Sequence, residues 1–139
     1  MTAKEYLGQA YRLDQRIDAK LEQVANLRAL AAKATATITD MPRSSSPNLQ
    51  HMEGTIVKII DLEQEINEDI DRLVDLKKEI TSAIKAVSVP EYQVVLELRY
   101  LCFKTWEQIA VDMSYSYVHI VHNLHPMALK LVEATVNSI

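Results

Sequence analysis

The chain has 139 residues, 48% of them hydrophobic and 24% charged, so it can build one ordinary domain, or a small domain with an extended arm, and wholesale disorder is excluded. A net charge of −4 excludes nucleic-acid binding through overall basicity alone. The single cysteine, Cys102, excludes an internal disulfide and suits a reducing compartment; it reads as a small buried hydrophobe.

The N-terminus is charged and lacks the apolar core of a signal peptide, and no stretch is long enough for a membrane span. A soluble, cytoplasmic protein is expected. Two glycines, four prolines and almost no β-branched alternation favour an all-α chain. From Thr2 to Ile38, apolar residues recur at helical spacing: Tyr6, Ala10, Leu13, Ile17, Leu21, Val24, Leu27 and Ala31. Between residues 40 and 50, Pro42, Pro47 and three serines predict a turn. Met52 to Val87 then carries a heptad-like seam of Met52, Ile56, Ile59, Ile66, Ile70, Leu73, Ile80, Ile84 and Val87, with Glu63 and Lys77 as polar members flanked by Leu62 and Leu76.

Charge divides these segments. Residues 1–33 hold six basic and four acidic side chains, whereas residues 53–87 hold nine acids and five bases. A basic and an acidic amphipathic helix joined by a Pro/Ser turn predict an antiparallel, coiled-coil-like hairpin over 1–87. Ile60, Leu62, Val74 and Leu76 flank the seam as surface for a second hairpin, which predicts a homo-oligomer, most simply a dimer.

Residues 88–139 form a second predicted domain of three helices. Pro90 starts the first, which runs to about Leu101 and buries Val94, Val95, Leu98 and Leu101. Thr105, with Gln108 three residues later, starts a second that ends at Met113 and buries Trp106, Ile109, Ala110 and Met113. Ser116 caps the third, with Tyr117, Ile120, Val121, Leu124 and Ala128 as its apolar stripe. Two helix starts eleven residues apart give the layout of a helix-turn-helix. Ser114 lies in the turn, where a left-handed backbone suits glycine better. Pro126 predicts a kink or a new helix start near His125.

The run LELRYLCFKTWEQIAVDMSYS, Leu96 to Ser116, resembles the fourth region of bacterial sigma factors: a Leu-Arg-Tyr helix end, a short turn, Thr-x-x-x-Ile-Ala, and a serine cap. Trp106 and the Tyr-Ser-Tyr run bring it closest to small phage and prophage transcriptional regulators of the autolysin-regulator type. The likeness spans about 45 residues, and the spacing from Ile120 to the Met-Ala-Leu-Lys-Leu run is about one residue longer than in that pattern. It implies a transcriptional regulator that binds double-stranded promoter DNA, with RNA polymerase as a further partner. Ser116 to Asn123 would face the groove: Ser116 as cap, Val118, His119, His122 and Asn123 toward bases, Tyr115 on a phosphate, and Arg99, Lys104 and Lys130 on the backbone. His119 and His122 would bind more strongly when protonated, below about pH 6.5.

Residues 88–139 nevertheless carry three basic and five acidic side chains, so a monomer should hold DNA weakly. Two competing functions are a coiled-coil adaptor or inhibitor without DNA binding, and a terminase-like packaging subunit. His119, His122 and His125 lack a fourth partner at ligand spacing, so neither a metal nor another cofactor is expected. No nucleophile–base pair, phosphate loop or catalytic carboxylate pair is visible, which points away from an enzyme.

Overall fold

The computed structural model describes residues 1–40 and 47–137, without the side chains of 35–40, 47–49 and 136–137. It is all-α among the described residues: α1 (Ala3–Leu7), α2 (Gln9–Asp40), α3 (Pro47–Lys85), α4 (Pro90–Tyr100), α5 (Trp106–Met113), a single turn α6 (Tyr117–His119), a π-helical turn (Ile120–Leu124) and α7 (His125–Asn137). Of the turn expected over 40–50, Asp40 ends α2 and residues 47–50 already belong to α3, so Pro47 opens that helix, while 41–46 lie outside the described residues. No described helix is long and apolar enough to cross a membrane.

The chain divides into two compact units, Asp14–Arg72 and Met1–Leu13 with Leu73–Ile139. In the first, α2 and α3 run antiparallel, as the pairing of Lys20 with Asp69 and of Arg28 with Glu63 requires. Ile17, Val24 and Ile66 are buried there. The seam differs from the expected one at alternate layers. Ile56 and Ile70 are exposed, and Leu62 is half-buried beside Glu63, whose side chain is 44% exposed and paired with Arg28. On α2, Lys20 turns inward with its side chain 18% exposed, while Leu21 is 48% exposed. The buried and half-buried residues of α3 between 52 and 69 are 52, 55, 59, 62, 63, 66 and 69.

The electrostatics of burial account for this choice. A register through Glu63 and Lys77 would sink two charges, each costly unless paired. The observed register sinks one carboxylate, Asp69, only 4% exposed, and supplies its partner in the same layer. Lys20 Nζ lies 2.7 Å from Asp69 Oδ2, and Arg72 adds a second contact at 3.4 Å. The hydrogen bond from Lys20, aided by Arg16 and Arg72, holds the Asp69 carboxyl below the usual carboxylate range against its burial.

In the second unit, Leu7, Ala10, Ile80, Ile84, Val95, Leu96, Ile109, Ile120, Leu124, Ala128 and Val132 share one core. Thr2 caps α1 in a reciprocal box with Glu5, and a break at Gly8 replaces the uninterrupted helix expected from Thr2 to Ile38. A Cβ at Gly8 would lie 3.1 Å from the Lys4 carbonyl oxygen, so only glycine fits there without a shift. Leu76 packs against this core, and Val74 is exposed.

Candidate nucleic-acid interface

The α4–α5 corner and the turn that follows are set by local capping. Thr105 Oγ1 accepts from the Gln108 amide at 3.2 Å, and Gln108 Oε1 accepts from the Thr105 amide at 3.0 Å, so α5 begins with a full capping box. Ser114 closes α5 at φ 59°, ψ 38°, the left-handed conformation that the turn demands, although a serine occupies it. Ser116 Oγ then accepts from the His119 amide at 3.1 Å and starts the next helix. Its first turn passes into the π-helical turn, where the His125 amide donates to the Ile120 carbonyl. Pro126 explains the widening: its ring would clash with the His122 carbonyl of a regular α-helix, and one extra residue in the turn relieves that contact.

Several burial expectations need correction. Val94 is exposed, and Leu96 and Tyr100 are buried on α4 beside the expected Val95, while Leu98 and Leu101 are half-buried and pack against the core as expected. Trp106 and Met113 are half-buried and pack against the core as expected; Val121 is only half-buried, and Tyr117 is exposed rather than part of the core. Cys102 is exposed because α4 ends before it, so it faces solvent from a loop.

The predicted contact residues fall into two groups. Val118, His122 and Asn123 are exposed on the π-containing helix, and Val118 is 61% exposed. Asn123 Nδ2 donates to His119 Nδ1 at 3.1 Å, which places the proton of a neutral His119 on Nε2 and fixes the Asn123 amide. The Tyr115 ring lies 4.8 Å from that of His119, and the Tyr115 hydroxyl donates to Glu91, which raises its pKa. A continuous surface line of Glu91, Tyr115, His119 and Asn123 results, and Ser116 beside it serves as the cap.

In the second group, Arg99 and Lys104 have partners within the protein. Arg99 Nη1 donates to the Lys104 carbonyl at 3.0 Å, and its guanidinium lies 4.3 Å from the centre of the Trp106 ring. Lys104 Nζ pairs with Asp112, whose hydrogen bond raises the lysine pKa. Lys130 is exposed on α7. The third histidine, His125, is 6% exposed and belongs to the core. Its Nε2 lies 2.6 Å from the Tyr100 hydroxyl, and its ring centre lies 4.4 Å from that of Trp106. Burial, helped by Lys4 and Arg99, pulls His125 down to about 4, and burial pushes Tyr100 up to about 12.

Sequence reasoning missed the Glu91–Tyr115 bond and the Tyr100–His125 pair, since partners 24 and 25 residues apart leave no periodic trace. It also missed Phe103, whose φ of 58° is as unusual as that of Ser114 and occurs without any turn residue to announce it. Among the described residues, no three His, Cys, Asp or Glu side chains gather as a metal site would need. Comparison of the chain with protein-family models, with curated proteins and with solved structures finds no match.

Proposed function

We propose that the protein is a transcriptional regulator of the phage or prophage type that binds promoter DNA through the helix opened by Ser116. The observation that carries this reading is the exposed set of Val118, His122 and Asn123 directly after a tight, doubly capped turn. The His119–Asn123 bond leaves the Asn123 carbonyl oxygen and one amide hydrogen for the bidentate contact that asparagine makes with adenine. With Lys104 paired to Asp112, and three basic against five acidic side chains over residues 88–139, phosphate attraction is small, and affinity depends on two copies acting together.

The hairpin offers a surface for that pairing. Leu21, Leu30, Ile56, Val57, Ile60 and Ile70 are exposed in the Asp14–Arg72 unit, and a groove between Leu21 and Ile70 is rimmed by Arg28 and Glu63. A second hairpin would cover these side chains and set its acidic helix against the basic one. RNA polymerase is the further partner of this reading. The same apolar face also supports the alternative, an adaptor that binds a foreign coiled coil and no DNA.

The test is titration of the full chain with duplex DNA, including the sequence upstream of its own gene, at low salt. Binding that is lost in the His122→Ala/Asn123→Ala variant, with helicity retained, supports the regulator. A folded oligomer that binds no duplex supports the adaptor.

A further inference from the structure

We propose that the cavity between the α1–α2 break and the α4–α5 corner is a binding site for a small organic anion with a flat aromatic body. The cavity holds about 360 Å³, within the size range of small-molecule sites. Its walls include Tyr11, Phe103 and Trp106, and Tyr100 forms part of its lining. These are four of the chain's aromatic residues, with its only Trp and only Phe among them.

Three cations, Lys4, Arg12 and Arg99, share the same cavity. Among the described residues none of the three has a carboxylate within ion-pair distance. Main-chain oxygens hold the two guanidinium groups instead: Arg12 Nη2 donates to the Glu5 carbonyl at 3.2 Å and Arg99 Nη1 to that of Lys104 at 3.0 Å. Those bonds orient the forks and leave their charge unneutralised. The lining carboxylate, Glu5, is engaged with the Thr2 amide at 3.2 Å. The positive field reaches inward, since Lys4 and Arg99 both act against protonation of buried His125.

Phe103 is the second signal. An aromatic residue at φ 58° costs roughly 1 kcal/mol, and strained backbone concentrates at ligand sites. Here it sets the ring 5.5 Å from Tyr11 and beneath the Lys77 ammonium, 4.7 Å away.

The lining selects its ligand by exclusion. Aromatic walls suit an organic cation, but three cations repel it. A neutral aromatic leaves those charges unanswered, and a bare inorganic anion leaves the aromatic walls unused. An aromatic carboxylate or a nucleoside monophosphate satisfies both.

Trp106, as the only tryptophan, reports directly on occupancy. The full chain is titrated, without DNA, with AMP and with 4-hydroxybenzoate, and with inorganic phosphate and benzyl alcohol as the separated halves. The expected result is a saturable change in Trp106 fluorescence for at least one aromatic anion, with Kd below about 1 mM. Arg12→Gln, and separately Lys4→Gln, should weaken it about ten-fold with the circular dichroism unchanged. AMP alone or 4-hydroxybenzoate alone identifies which anion class is held. No saturable change with either, equal binding of phosphate or of benzyl alcohol, or indifference to both substitutions overturns the proposal. The assay contains no promoter, so its failure is separate from failure of the regulator reading.

Discussion

At the scale of single residues, the sharpest consequence belongs to His125. Its folded pKa of about 4 lies below the ordinary 6.5, so between those values the unfolded chain binds more protons. The neutral ring thus contributes stability that is fully present above pH 6.5 and is lost as pH falls toward 4. Allowing for partial solvent access, the difference is about 2–3 kcal/mol. Thermal melts should show Tm falling from pH 7 to pH 4.5, and His125→Gln, which keeps a partner for Tyr100, should flatten the slope. An unchanged slope in that variant would assign the pH dependence to other groups. Asp69, with its pKa lowered, acts in a separate window: its contribution is present above the ordinary carboxylate pKa and is lost only below it.

Residue-level signals in the sequence were readable wherever the physics is local. Thr105, Gln108 and Ser116 cap the helices that their spacing predicts, and Ser114 takes the left-handed turn conformation. Pro126 marks the end of the π turn. What was not readable depends on distant partners. Tyr117 has an apolar ring at a plausible core position, yet it is exposed because no element covers it.

At the scale of elements, the hairpin seam shows why periodicity underdetermines register. Two heptad readings of α3 share Met52, Ile59, Ile66, Leu73 and Ile80 and differ only at the intervening layers. The decision turns on Lys20, which lies on the other helix and neutralises Asp69. Asp69→Ala leaves the Lys20 ammonium without its main partner and should destabilise the protein by about 1–3 kcal/mol. The double replacement Lys20→Leu/Asp69→Leu should cost less than the single change, because an apolar layer needs no desolvation of charge. Chemical denaturation of both variants measures this. A double variant less stable than Asp69→Ala would contradict the ion pair as the source of register.

At the scale of the whole molecule, the all-α architecture and the long hairpin followed by short helices were legible from composition and periodicity. The place of residues 1–13 was not. Ala3, Leu7 and Ala10 continue the apolar spacing of α2, so their pattern cannot reveal that they join the core containing α4 to α7. The exposed apolar side chains of the hairpin carry the largest consequence for function. Leu21→Glu/Ile70→Glu should shift a dimer to monomer in sedimentation velocity without loss of helicity, since both side chains already face outward. A sedimentation profile identical to that of the parent chain would place any self-association elsewhere.

The most direct measurement is the affinity for duplex DNA at low salt of the parent chain and of the His122→Ala/Asn123→Ala variant. A sequence-dependent Kd that weakens at least ten-fold in the variant, while Tm holds, is the predicted result. Equal binding by both proteins, or none by a folded dimer, would contradict it.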